Sequence, residues 1–159
     1  MPTFEHTIDV AAPIEHVFAF MTDTDNWLRT NPSLTNLELV GETDDGYRMD
    51  ATYRTLGISN RGELELTIVE PEAHSVVSFD SPGLSGDVEY RFTEVDGVTT
   101  VVQSADYEFG DSLLNRIIEP VGKRYNERQF RHSLESSKEL IEAELEAKSE
   151  GDSEQIPAV

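Results

Sequence analysis

Apolar and polar residues alternate at the start of the chain. Phe4, His6, Ile8 and Val10 alternate with Thr, Glu, Thr and Asp, the period of two that is typical of a strand with one buried face. An Ala-Ala-Pro segment ends this pattern, and Pro13 suits the first turn of a helix because its missing N–H needs no partner there. The pattern predicts a first strand followed by a helix.

Two short helices are predicted between the first strand and residue 32. The first carries the apolar residues Val17, Phe18, Phe20 and Met21, and the second runs from Asp23 to Arg29, contains Trp27 and is stopped by Asn31-Pro32. We interpret their large side chains as the packing that holds these helices in place. An apolar gate at one end of the fold is the alternative.

From residue 33 to Phe109 the chain reads as successive strands separated by short turns. The turns lie at Asp44 to Gly46, Gly57 to Asn60, Glu70-Pro71, Ser81 to Gly86 and Asp96-Gly97. Turns of this length favour antiparallel neighbours. The inward face is predicted to carry Tyr47, Met49, Ala51, Tyr53, Thr55, Leu64, Leu66, Ile68, Val77, Phe79, Val88, Tyr90, Phe92, Val101, Gln103, Ala105, Tyr107 and Phe109.

A long helix is predicted in the stretch from Asp111 to Ala147. Apolar residues recur there at helical spacing, and Val121, Phe130, Leu134, Ile141 and Leu145 belong to this stripe. From residue 121 to 147 such a helix would be roughly 40 Å long at ~1.5 Å per residue. Pro120 is expected to kink it or to divide it into a short and a long helix.

Together these elements predict an α+β grip, in which a curved antiparallel sheet of six to seven strands wraps around the long C-terminal helix. We expect a single domain over residues 1–147 and a flexible acidic tail over 148–159.

Charge is the most unusual property of the composition. The 159 residues include 32 acidic and 12 basic side chains, a net charge of −20, and the acids are spread along the whole chain. This distribution favours adaptation to a high-salt cytoplasm, where a short Debye length screens the repulsion, over an acidic patch for one basic partner. Nucleic acid is not expected as a partner because no basic stripe is present.

Several classes of site find no support in the sequence. There is no cysteine and no apolar run long enough for a membrane helix, so we expect a cytoplasmic protein. Phosphate-loop, dinucleotide and hydrolase motifs are absent. The four histidines, His6, His16, His74 and His132, have no metal-ligand spacing, so we expect no metal and no cofactor.

Two segments resemble a known group of proteins. The stretches D-V-A-A-P-I-E-H-V-F and D-T-D-N-W-L-R-T-N-P, in this order of elements, resemble the START-like, or SRPBCC, superfamily of helix-grip proteins over residues 3 to about 147. The resemblance implies a hydrophobic cavity between sheet and helix, used in some members to carry lipids or other apolar molecules and in others for polyketide cyclisation or dehydration. It implies no shared catalytic motif, so no catalytic residue is assigned.

Polar side chains on the inward strand faces indicate where a ligand would bind. Buried hydroxyls and amides need partners, which a ligand in a cavity of roughly 300 to 1,000 Å³ could supply. The alternative is that the tyrosine hydroxyls reach the sheet rim and Gln103 bonds to the helix. The candidate ligand-binding residues are Tyr53, Phe79, Tyr90, Phe92, Gln103, Tyr107 and His132.

Charged head groups could be held by arginines, although pairing with surface acids is the favoured reading of these side chains. The candidates are Arg54, Arg61, Arg124 and Arg128.

Three functions remain open. The leading hypothesis is a monomer or homodimer that binds a small hydrophobic or amphipathic ligand, such as a lipid, quinone or polyketide. The second is a cofactor-free cyclase or dehydratase, in which a tyrosine, His6 or His132 moves protons. The third is an interaction module related to chaperone-associated members of the fold, with its cavity filled by its own side chains.

Overall fold

The computed structural model describes residues 4–55, 57–110 and 113–154, and it describes side chains over 4–54, 57–110 and 119–148. The chain begins with β1 (Phe4–Val10), α1 (Ile14–Thr22) and α2 (Thr24–Thr30). Strands β2 (Leu34–Thr43), β3 (Gly46–Thr55), β4 (Ile58–Glu70), β5 (His74–Ser81), β6 (Leu84–Val95) and β7 (Val98–Phe109) follow, and α3 (Leu113–Glu154) ends the fold. This order confirms the predicted α+β helix-grip architecture.

The strands form one antiparallel sheet in the order β1-β7-β6-β5-β4-β3-β2. Strands β2 to β7 are consecutive hairpins, whereas β1 pairs with β7 at the opposite edge from β2. The connection from β1 to β2 therefore has to pass from one edge of the sheet to the other. Helices α1 and α2 lie in that connection, which is why they cover one end of the sheet.

Local sequence explains how α1 and α2 are held. Pro13 precedes α1, and the Asp23 side chain caps α2 by accepting a hydrogen bond from the backbone N–H of Asp25 at 3.0 Å. The indole N–H of Trp27 donates to the carbonyl of Met21 at 2.9 Å, which ties the two helices together.

Helix α3 runs without interruption through Pro120, so a division into two helices does not occur. Leu134 and Ile141 are buried as predicted, and Phe130 and Leu145 pack partly buried against the core. Val121, in contrast, is exposed, because it lies about half a turn around the helix axis from Phe130.

The C-terminal end of α3 lies beyond the predicted boundary. Its backbone remains helical past Ala147 to Glu154. The single domain over 1–147 and the flexible tail over 148–159 stay predictions, and residues 111, 112 and 155–159 lie outside the described residues.

The core is built from two clusters that lie between the sheet and the helices. One joins α1, β6, β7 and α3 and includes Phe18 and Phe92, whose rings meet edge to face at 5.1 Å between centroids. The other surrounds Val88, Ala105 and Tyr107 on strands β6 and β7. No helix in the described part of the chain is both long and apolar enough to cross a membrane.

Candidate functional site

A cavity of about 170 Å³, partly open to solvent, lies between the inner face of the sheet and helix α3. It is smaller than the 300 to 1,000 Å³ expected from the sequence, because large side chains from the strands and from α1 and α2 fill part of the space that the fold encloses. In this conformation its volume resembles that of apolar protein cavities that hold a single benzene ring, roughly 150 Å³.

The wall formed by the sheet is mostly apolar. Strands β4, β5 and β6 place alternate residues on this face, and pairing across the strands brings Leu64 opposite Phe79 and Leu66 opposite Val77. Ser75 is a buried polar residue of this wall. Its larger side chains include Leu64, Leu66, Val77, Phe79, Val88 and Tyr90.

The wall formed by helix α3 is uncharged and mostly polar, since four of its five described lining residues are polar and the fifth is Phe130. Asn126, Gln129, Ser133 and Ser137 follow one another at intervals of three or four residues, so they lie along one face of the helix. Asn126, Ser133 and Ser137 are buried, and the Ser137 hydroxyl donates to the carbonyl of Ser133 at 2.8 Å. The Oε1 atom of Gln129 has no hydrogen-bond partner among the described residues.

One end of the cavity is closed by the short helices. Phe20, Met21 and Trp27 line the cavity there. Phe20 also belongs, with Phe18 and Phe92, to the core cluster, and Met21 packs against that cluster. The side chain of Asn26 donates to the carbonyl of Phe20 at 3.1 Å, so the position of this end depends on the pairing of α1 with α2. Of the residues considered for a gate, Phe20, Met21 and Trp27 thus line the cavity, while Phe18 and Phe20 pack in the core.

A hydrogen-bond network connects the cavity with strand β7 and helix α3. Gln103 is fully buried, and its Nε2 atom donates to the Tyr90 hydroxyl at 3.1 Å and to the carbonyl of Phe130 on α3 at 3.4 Å. Its Oε1 atom has no hydrogen-bond partner among the described residues. Burial raises the pKa of Tyr90 and the hydrogen bond with Gln103 lowers it less, so the tyrosine stays a neutral donor at pH 7.

The rim at the end of strands β3, β4 and β5 carries the acidic residues of the site. Tyr53 lines the cavity there, and its pKa is raised, first by burial, while a hydrogen bond with Ser81 opposes this. Gly62 lies beneath the tyrosine: a Cβ atom at this position would be 3.2 Å from the Tyr53 ring and 2.8 Å from Ser81 Cβ. Glu63 and Asp80 are exposed at this rim.

The structure brings three of the seven predicted ligand-binding residues to the cavity: Tyr53, Phe79 and Tyr90. Phe92 lies in the core against Phe18, and Gln103 lies behind Tyr90.

The other two predicted residues also lie away from the cavity. Tyr107 is buried in the second core cluster, where burial raises its pKa and a hydrogen bond with Asn126 opposes this. His132 is exposed on α3, with its Nε2 atom 3.3 Å from the Ser136 hydroxyl, because it lies on a different side of the helix from Ser133.

The remaining histidines make individual contacts with acidic side chains. His6 lies 4.0 Å from Glu127, and burial lowers its pKa, with Arg131 acting in the same direction. The Nε2 atom of His16 lies 3.7 Å from a carboxylate oxygen of Glu144, and the Nε2 atom of His74 lies 2.5 Å from a carboxylate oxygen of Glu89. Within residues 4–55, 57–110 and 113–154, no three histidine or acidic side chains are grouped so that they could hold a metal ion.

The polar residues of α3 were missed when the chain was read as a sequence, although a signal was present. In a chain with 28% charged residues, four uncharged polar side chains at helical spacing are conspicuous, namely Asn126, Gln129, Ser133 and Ser137. The apolar stripe that contains Phe130, Leu134 and Ile141 is the stronger periodic signal, and it lies on the neighbouring face of the same helix.

Comparison with solved structures identifies the fold. The ZhuI aromatase/cyclase from a Streptomyces species superposes with a TM-score of 0.80 at 17% identity, over 89% of this chain and 94% of that protein. The protein TTHA0849 from Thermus thermophilus superposes with a TM-score of 0.77 at 16% identity, over 87% of this chain and 96% of that protein. A START superfamily protein from Mycobacterium smegmatis superposes with a TM-score of 0.68 at 12% identity, over 88% of this chain and 97% of that protein.

Sequence comparison leads to the same group. No curated protein matches the chain significantly. The model of a protein family described as polyketide cyclase / dehydrase and lipid transport matches residues 1–142. This match covers most of the chain, and it shows that the chain belongs to the polyketide cyclase / dehydrase and lipid transport family, whose model it fits together with a seven-stranded sheet and a long C-terminal helix.

Proposed function

We propose that the protein binds a small amphipathic molecule in the cavity between the sheet and helix α3. The observation that carries this proposal is the cavity itself, with an apolar wall on the sheet and an uncharged polar wall on the helix. A packed core would place Leu or Ile at buried helix positions, whereas this chain has Asn126, Ser133 and Ser137 there. Such a pair of walls suits a ligand with one apolar side and one hydrogen-bonding edge.

Tyr53, Phe79 and Tyr90 are the predicted residues that would contact this ligand, and the polar residues of α3 join them in the proposal. A catalytic function would need a titratable pair within hydrogen-bond reach in the cavity. The ionisable groups among the described lining residues are Tyr53, Tyr90 and the exposed Glu63 and Asp80, and no hydrogen bond joins two of them. Burial raises the pKa of Tyr53, and the charge of Asp80 acts on the tyrosine in the same direction. The unfilled cavity also argues against an interaction module whose interior is filled by its own side chains.

The proposal can be tested with a variant that fills the cavity. Ser137→Leu adds a branched apolar side chain to a buried residue that lines the cavity. Ser136→Leu is the matched control, since Ser136 is the adjacent residue and is not part of the lining. Acetophenone is a suitable probe because it is neutral, has a single ring and carries one carbonyl group.

We expect the wild type and Ser136→Leu to bind acetophenone in isothermal titration calorimetry and Ser137→Leu to lose at least about tenfold in affinity, equal to 1.4 kcal/mol. Trp27, the only tryptophan of the chain, lines the cavity, so its fluorescence provides a second readout. Organic extracts of the purified proteins, analysed by mass spectrometry against a mock purification, would identify a natural ligand. Equal binding by all three proteins, or binding by none, would contradict the proposal.

A further inference from the structure

The charges around the cavity show which ligands it can accept. Among the lining residues that the structure describes, none is Lys, Arg or His. The two lining residues that are charged at pH 7, Glu63 and Asp80, are both acidic, and they lie exposed at one rim. A ligand anion would therefore meet no positive partner inside the cavity and two negative groups at its edge.

The cations of the neighbouring elements are not part of the described lining. Arg29 of α2 comes near it, since it donates to the Asn26 side chain at 2.8 Å and its guanidinium lies 6.0 Å from the centre of the Phe20 ring. It is half exposed, however, and lies 3.7 Å from the Glu144 carboxylate.

On helix α3, Arg124, Arg128 and Arg131 are exposed and lie about half a turn from the residues that face the cavity. Arg131 is 3.6 Å from Glu127 in the same helix. Arg54 and Arg61, the other candidates for holding a head group, are also exposed, and Arg61 borders an outer groove of the sheet.

The cavity does offer partners to neutral polar groups. The unpartnered Oε1 atom of Gln129 can accept a hydrogen bond from a ligand hydroxyl. The Tyr90 hydroxyl accepts from Gln103 and can donate its own proton to a ligand carbonyl. Burying a carboxylate without a cation costs far more than burying a carbonyl that finds a donor.

We propose that the cavity selects uncharged ligands that carry a hydroxyl or carbonyl group on one edge and rejects carboxylates and phosphates, free fatty acids and phospholipids included. This inference rests on the proposed function and narrows its ligand class. The decisive features are the absence of a cation among the described lining residues and the polar, uncharged face of α3 opposite the apolar sheet.

Acetophenone and benzoate form a suitable pair of probes, because both have one ring and one carbonyl carbon but only benzoate is charged at pH 7. Titration calorimetry at one fixed salt concentration should show benzoate binding at least about a hundredfold more weakly than acetophenone. The variant Gln129→Lys places a cation on the polar wall and should bind benzoate more tightly than the wild type does. Gln129→Met, a neutral change of similar length, should not.

The outcomes separate this inference from the function on which it depends. Benzoate binding to the wild type as tightly as acetophenone would overturn the inference and leave the binding function in place. If Gln129→Lys and Gln129→Met changed benzoate affinity equally, charge would not be the selecting feature, and the inference would again be overturned. Failure of both probes to bind the wild type would overturn the proposed function and this inference with it.

Discussion

The hydrogen bond between Gln103 and Tyr90 provides a sharp test of how the cavity wall is held. Tyr90→Phe removes the better of the two acceptors of the Gln103 amide and leaves its Nε2 atom with only the carbonyl of Phe130 at 3.4 Å. Because Gln103 is fully buried, water cannot easily replace the lost partner. We expect a cost of about 1–3 kcal/mol, the penalty for an unsatisfied buried polar group.

Gln103→Met should behave differently, although it changes the same interaction. It removes the donor, but it also removes the buried Oε1 atom that has no hydrogen-bond partner among the described residues. The free energy lost with the hydrogen bond and the free energy gained by no longer burying an unpaired oxygen are of similar size and opposite sign. The free energy of unfolding should therefore change by less than about 1 kcal/mol. In the Gln103→Met background, Tyr90→Phe should cost much less than it does alone, since the hydroxyl has already lost its partner.

The assay is a double-mutant cycle of urea unfolding curves, with thermal melting as a second measurement. One kcal/mol corresponds to about 2–4 °C for a domain of this size. We expect a coupling energy of about 1 kcal/mol or more between the two positions. Additive effects, with Tyr90→Phe equally costly in both backgrounds, would refute the reasoning. The double variant should stay folded but bind acetophenone more weakly, and loss of the fold would show that the pair is structural.

Three further predictions concern other parts of the molecule. Gly86→Ala should destabilise the sheet by about 1–3 kcal/mol, because the new Cβ atom would lie 2.3 Å from the Asp106 carbonyl oxygen. Gly41→Ala is the control and should leave the free energy of unfolding in urea almost unchanged, because a Cβ atom there would have nothing within 4 Å. Burial holds the folded-state pKa of His6 below 6.5, so the unfolded chain takes up a proton more readily and the contribution of neutral His6 to stability should be lost as the pH falls through 6.5 and below. The difference in melting temperature between the wild type and His6→Gln should therefore change over that range and stay constant above it. With a net charge of −20, the protein should melt at higher temperature as NaCl rises to multimolar concentration, and a flat circular-dichroism melting series would contradict this.

Strand faces and helices could be read from the sequence because both follow from local periodicity. The alternation in β3 assigned Met49 and Ala51 to the interior, and both are buried. The order of the hairpins followed from turns too short for any connection other than an antiparallel one. The even spread of acids likewise belongs to the sequence and needs no coordinates.

Periodicity assigns a residue to a face but not to a depth within the fold. Tyr90, Phe92 and Gln103 all point inward, yet Tyr90 lines the cavity, Phe92 packs against α1 and Gln103 lies behind the cavity wall. The distinction depends on which distant element covers each point of the sheet. That cover comes from α1, α2 and α3, which are remote in sequence from the strands.

The rotation of α3 and the space left beneath it were likewise decided by tertiary packing. The pattern of Phe130, Leu134 and Ile141 indicated that one face is buried, but contact with the sheet determined that Ser133 and Ser137 face the cavity and that His132 faces outward. The cavity of about 170 Å³ is a small difference between the volume that sheet and helices enclose and the volume that their side chains fill. The sequence by itself determined the architecture and the charge, and the three-dimensional packing decided the size and chemistry of the site.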